Sequence, residues 1–235
     1  MISKWKMITL ILVGMSFGSF AQESNPPAST DSNKQRNEQD QRVYQLAMRY
    51  NDISVAKAKL YDLMTRNPNN TRYPELLASL YFESEQFGSA ALVSLDILEV
   101  NDKSVTALEI AAFSLEQLGA LDRALPHFES LHLLSGDLFS LYKAAYLQYS
   151  LKKYDESMNS IDMLIKNKKS SEDKLAFPTK DNKTQEITMR AAALNLKGLI
   201  YKDQGINEEA KKAFEEALAL NPGFEIAMDN MKEIN

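Results

Sequence analysis

Residues 198–222 read "GLIYKDQGINEEAKKAFEEALALNP", and whether this stretch stands alone or is one copy of a repeated unit decides the fold. Ala210, Ala213, Phe214, Ala217 and Leu218 recur at i, i+3, i+4, i+7 and i+8, one apolar stripe of a helix. Lys211, Lys212, Glu215 and Glu216 fall on its solvated side. "DQGIN" marks a turn from a preceding helix, and Asn221-Pro222 stops the second one, because proline cannot continue a helix. Intervals of 53, 33, 34 and 34 residues lead back from Gly198 to Ala145, Ala112, Ala78 and Tyr44, a column of mostly small residues. Other columns keep the same frame. Ala210 corresponds to Ser157, Ala124, Ala90 and Ala56; Phe214 to Ile161, Phe128, Ser94 and Leu60; Ala217 to Leu164, Leu131, Ile97 and Leu63. Asn221-Pro222 matches Asn67-Pro68. The small column marks a close helix crossing, where a larger side chain would push two backbones apart.

The spacing of Leu194, Gly198, Tyr201, Ala210, Phe214, Ala217 and Pro222 resembles that of the tetratricopeptide repeat, a helix-turn-helix unit of about 34 residues. The resemblance implies an all-α chain: a right-handed α-solenoid of about five units with a C-terminal capping helix, the first helices lining a concave groove. The array spans residues 37–222, with units starting near 37, 71, 105, 138 and 191. The match has departures. Lys197 stands where the family usually has leucine, Tyr44 replaces a small residue and Ser94 a bulky one, and the fourth copy, residues 138–169, has the loosest register. Repeat arrays expose an apolar face at their ends unless a cap covers it. Residues 223–235 supply one, with Ile226, Met228 and Met231 facing inward and Glu225, Asp229 and Lys232 outward.

Ahead of the array, residues 1–21 carry Lys4 and Lys6, an apolar run and a Ser19-Phe20-Ala21 exit, the pattern of a secretory signal peptide. The Phe20-Ala21-Gln22 junction resembles signal peptides of the Bacteroidota. Cleavage after Ala21 moves the net charge from −5 to about −7. Such an acidic surface does not neutralise phosphates, so nucleic acid is not an expected partner. The chain has no cysteine, which excludes disulfides, thiolate metal sites and a cysteine nucleophile. Export without cysteine points to the periplasm or cell envelope of a bacterium. Residues 22–36, with Pro26-Pro27 and almost no apolar side chains, read as a disordered polar tether.

The long fourth interval places an insertion at about 167–189, rich in lysine, serine and asparagine. It reads either as a solvated loop or as a recognition arm with Leu175 and Phe177 as contact residues. In the repeat family, the groove is lined by first-helix residues three before, one after and four after the small column. These offsets include Phe82, Glu109 and Phe113, then Tyr142, Tyr146 and Tyr149, an aromatic strip beside an acidic middle. Tyrosine offers a flat apolar body with a hydroxyl handle, suited to peptide contact; a shift of one residue would instead bury Tyr142 and Tyr149 between helices. The positions at which chaperone-tail receptors of this family carry a cationic clamp hold Gln41, Gln45, Leu76, Thr106 and Ile110 here, so that use is not expected.

There is no phosphate loop, nucleophile elbow or His-Glu-x-x-His motif, and the spacing of His127 and His132 does not suit a zinc pair. No catalytic residue, metal or cofactor is assigned, and no small-molecule substrate is evident. The expected function is a non-catalytic protein-protein interaction module in the envelope, holding a peptide or helix of a partner protein in its groove, with any membrane association indirect. The alternative is a permanent structural subunit of an outer-membrane or secretion assembly.

Overall fold

Five helix pairs follow one another along the chain in a computed structural model that describes residues 30–234. They are α1 (Thr30–Arg49) with α2 (Ile53–Arg66), α3 (Arg72–Glu83) with α4 (Phe87–Val100), and α5 (Val105–Gln117) with α6 (Leu121–Ser135). After α7 (Leu138–Ser150) and α8 (Tyr154–Lys166), the last pair is α9 (Met189–Asp203) with α10 (Asn207–Leu220), followed by α11 (Glu225–Lys232). The expected right-handed solenoid of helix pairs is the observed fold. The signal-peptide segment 1–21 lies outside the described residues.

One turn geometry is used in every pair. Asn51, Glu85, Gly119, Lys152 and Gly205, one per unit, all have φ between 56° and 74°. The next residue then donates its N–H back into the first helix, from Asp52, Gln86, Ala120, Lys153 and Ile206 to carbonyls five residues earlier, at 2.8–2.9 Å. This left-handed closure satisfies the carbonyls left over at the end of a helix and reverses the chain.

The aligned columns form the core. Ala78, Ala112 and Ala145, the five residues of the Ala210 column and the five of the Phe214 column are all fully buried. At Gly198 a Cβ would stand 2.5 Å from the Phe214 ring, which is why this crossing takes glycine. In the fourth pair, Ser157 Oγ donates to the carbonyl of Ala145 at 2.8 Å, so the two columns meet there as in the other pairs and the register does not slip. Tyr44, the large exception, is half-buried at the open N-terminal end. Successive first helices touch, α3 against α5 and α7 against α9, whereas second helices of neighbouring pairs make at most marginal contact. The first helices therefore form the inner layer of the curved array.

Two expectations need correction. Of the tether expected at 22–36, residues 22–29 lie outside the described residues, but Thr30 onward is already α1. Straight-chain polar residues such as Lys34, Gln35 and Arg36 have good helix propensity, and extending a helix that is anchored downstream costs little. The anchor is polar: Asp40 is bridged by Lys59, at 3.0 Å, and by Arg66, while Asn37 accepts from Arg66 Nε at 2.9 Å.

The second correction concerns the insertion, which is neither a solvated loop nor an extended arm. Residues 167–189 form a 3-10 turn, Lys168–Ser171, and an antiparallel hairpin of β1 (Lys174–Pro178) and β2 (Thr184–Thr188). Leu175 pairs with Ile187, so both point to one face, and that face is buried against the array. Leu175, expected as a contact residue, is a core residue. The Phe177 ring packs on Phe224 with centroids 5.1 Å apart. The hairpin tip is tied to the cap: Lys180 N–H donates to Glu225 and Lys180 Nζ to Asp229, each at 2.8 Å. Strand β2 runs directly into α9, where Thr188 Oγ1 accepts from Ala191 N–H as the helix cap.

Candidate functional site

Packing the first helices side by side leaves hollows between them, and two contain most of the expected groove residues. The first, of about 410 Å³, lies between α3 and α5 and is lined by Ser79, Phe82, Glu83, Thr106, Glu109, Ile110 and Phe113. Its walls are apolar where Phe82 packs edge-on to Phe87 and Phe113 edge-on to Phe128, with centroids 5.6 and 5.0 Å apart. Its rim is acidic: neither Glu83 nor Glu109 is in an ion pair with any of the described residues. The third carboxylate of this face differs. Glu116 is held by Lys143 from the next unit, and the Lys143 ammonium lies 5.6 Å from the ring centroids of Phe113 and of Phe128. The acidic middle of the groove is thus narrower than its sequence implies.

The second hollow, of about 380 Å³, lies between α7 and α9. Tyr142, Lys143 and Tyr146 line it from α7, Asn195, Leu196 and Leu199 from α9, Phe177 from the hairpin and Ile226 from α11. The hairpin thus adds a wall to the groove that no other pair possesses. The insertion and the groove, separate candidates in the sequence, meet at this point.

The three tyrosines of α7 have different surroundings. Tyr146 is 44% exposed and faces the groove. Tyr142 is half-buried against the core, and burial, with Tyr146 beside it, pushes its hydroxyl well above the usual tyrosine range. Tyr149 lines neither hollow; its ring packs 6.2 Å from that of Tyr154 near the helix turn. Burial, reinforced by the Asp203 carboxylate, raises Tyr149 to about 12. Phe113 is likewise not a free groove residue, since Phe139 stacks on it at 6.2 Å and the buried Phe128 lies beneath. Asn195 and Leu199 stand at the same offsets from Gly198 that select Tyr142 and Tyr146 from Ala145. Extending the groove offsets to the fifth unit would have found both.

Residues 191–224 match the family model of the tetratricopeptide repeat. The chain folds as a tetratricopeptide-repeat array. Among solved structures, it is similar to YrrB, described as a tetratricopeptide-repeat protein with an unusual peptide-binding site. The TM-score is 0.64 at 14% identity, over 80% of this chain and 88% of that one. It is similar to MamA, with a TM-score of 0.62 at 16% identity over 80% and 93%. A tetratricopeptide repeat protein from Parabacteroides merdae ATCC 43184 matches with a TM-score of 0.61 at 17% identity over 85% and 72%. No curated protein matches by sequence. At these identities the likeness is one of fold.

Proposed function

We propose that this repeat array is a non-catalytic interaction module of the bacterial cell envelope that holds a segment of a partner protein along its inner face. The observation that carries the reading is the hollow between α3 and α5. It joins apolar ring surface to two unpaired carboxylates at the positions where first helices face the groove. An apolar wall beside a charged rim recognises an amphipathic segment, in this case one that offers cationic and apolar side chains. The second hollow extends the surface along the same layer. The array fold shared with YrrB, whose description includes peptide binding, supports the reading.

Peptide display against the purified chain tests it. Selected peptides should contain lysine or arginine next to an apolar residue. Glu109→Lys and Tyr146→Ala, at exposed positions, should each weaken their binding about tenfold or more with melting temperature unchanged. Selection of no peptide, or equal binding by both variants, would refute groove capture. The envelope location rests on residues 1–21. Protein recovered after expression with that segment should start at Gln22 by intact mass, and a retained Met1 would mean that no cleavage occurs.

A further inference from the structure

From the second unit onward, each first helix is covered by the second helix of the unit before it: α2 lies on α3, α4 on α5, α6 on α7 and α8 on α9. The side chains that make this contact keep the register of the array. Leu77 and Leu80 pack in one cluster with Leu60 and Leu63 of α2, and Ala144 and Leu147 with Leu125 and Phe128 of α6. Leu80, Ser114, Leu147 and Ile200 form one such column, and each is 2% exposed or less. Its first member, two residues after Tyr44, is Leu46, which is 50% exposed. The neighbouring column is buried at Leu77, Ala111 and Ala144 and half-buried at Lys197, and it begins with the half-buried Val43. Tyr50, one turn beyond Leu46 on the same stripe of α1, is 73% exposed. The first unit therefore presents the surface that receives a helix, with no preceding unit among the described residues to supply one.

The rim of this surface is cationic. At helical spacing Arg42 and Arg49 flank the stripe on one side and Arg36 on the other, all three exposed. None is in an ion pair with any of the described residues. The Arg49 guanidinium lies 5.9 Å from the centroid of the Tyr50 ring. Asp40 is taken up by Lys59 and Arg66, so Glu38 is the one carboxylate left to balance three arginines among the described side chains of α1. A second copy of the chain joined through the same face would set arginines against arginines. Residues 1–21 carry lysine and no carboxylate, and residues 22–29 have no large apolar side chain. The complementary element is a helix from another protein with acidic flanks.

We propose that the open face of α1 docks an acidic amphipathic helix of a partner protein, which takes the place of the second helix of a preceding unit. Its apolar stripe covers Val43, Leu46 and the Tyr50 ring, and its carboxylates meet Arg42 and Arg49 on one flank and Arg36 on the other. Second helices of 14 residues, such as α2, α4 and α10, set the length required. This surface is distinct from the inner face of the array, to which α1 contributes Gln41, Gln45 and Met48 from another side of the helix. Docking here stands independently of groove capture, and both surfaces can be occupied at once.

The test is selection from a displayed library of 14-residue helices on a fixed helical scaffold, with counter-selection on Leu46→Glu, an exposed position where the change should leave the melting temperature unchanged. Helices that bind the natural chain and not the variant should carry aspartate or glutamate beside an apolar stripe. In nuclear magnetic resonance titrations of the labelled full chain they should shift the Val43 and Leu46 methyl signals saturably. Arg42→Glu combined with Arg49→Glu should weaken them about tenfold or more, and added salt should weaken them as well. Glu109→Lys and Tyr146→Ala should leave their affinity unchanged, which separates this surface from the groove. Selection of no helix that discriminates against Leu46→Glu, enrichment of lysine or arginine in place of the acids, or shifts confined to α3, α5, α7 and α9 would overturn the proposal. A concentration-dependent dimer abolished by Leu46→Glu would overturn it in favour of a second copy. Val43 and Leu46 signals that change on deletion of residues 1–29 from the free chain would overturn it in favour of the chain's own leading segment.

Discussion

Glu85 and Lys152 occupy a backbone conformation in which Gly119 and Gly205 stand in other units, with φ of 56° and 59°. A side chain in the left-handed region costs about 1–2 kcal/mol, whereas glycine adopts it freely but has more freedom to lose from the unfolded chain, about 0.5–1 kcal/mol. Glu85→Gly and Lys152→Gly should each therefore stabilise the fold by about 0.5–1 kcal/mol, read as a higher midpoint in urea. Tyr149 makes a different kind of prediction. Its folded value, about 12, lies above the ordinary 10, so the folded chain retains a proton that the unfolded chain releases. The associated stability is complete below pH 10 and is lost as pH rises towards 12. Denaturation midpoints should fall across that window, and Tyr149→Phe should make the fall shallower. An identical slope in the variant would assign the alkaline loss to other tyrosines.

The hairpin and the first helix show two ways in which a polar segment becomes ordered. Helix α1 has few apolar residues in its first half and is held by Asp40. Burial raises its carboxyl, but the hydrogen bonds from Lys59 and Arg66 outweigh that and hold it below the usual range. The hairpin is held by packing: Leu175 and Ile187 are buried and Phe177 meets Phe224, which is fully buried. Phe224 thus joins the hairpin, α10 and the cap. Phe224→Ala should cost about 3–5 kcal/mol, the usual cost of deleting a buried ring. Amide exchange in β1 and β2 should accelerate in this variant beyond any change in α1–α4, and uniform acceleration would show that the hairpin has no separate dependence on that ring.

An array of this kind is held together by contacts between neighbours, so its ends are its weak points. At the C-terminal end, α11 packs on α10, binds the hairpin tip through Glu225 and Asp229, and orients Asn195 through Asn230. Removal of residues 223–235 should uncover the hairpin and the second hollow together. Limited trypsin digestion of the shortened chain should cut at Lys174, Lys180 or Lys183 well before the full chain is cut there, while fragments from α1 to α8 persist. Equal rates in both chains would mean that the hairpin is stable without the cap. The same view separates the two hollows in construction: the one between α3 and α5 is built by its own pair of units, with Phe113 backed by Phe139 of the next, whereas the one between α7 and α9 also needs the hairpin and the cap.

Much of this architecture is written locally. Helix periodicity, the small column from Ala78 to Gly198 and the Asn-Pro stops specify helix pairs, their number and their register, because each is a short-range property of a stripe or a turn. The groove offsets followed from that register, and Phe82, Glu109, Phe113, Tyr142 and Tyr146 do line the inner hollows. Four features required the folded molecule. The pairing of Glu116 with Lys143 joins two units, and the stacking of Phe113 on Phe139 does the same. The insertion looked like a solvated loop because lysine, serine and asparagine outnumber its apolar residues. Which face Leu175 and Ile187 share depends on strand pairing across the turn, and whether that face is buried depends on α9 and α11 standing behind it. Asn195, finally, is one polar residue among many along the chain; its burial and its bond to Asn230, a partner 35 residues away, come only with the closing of the array.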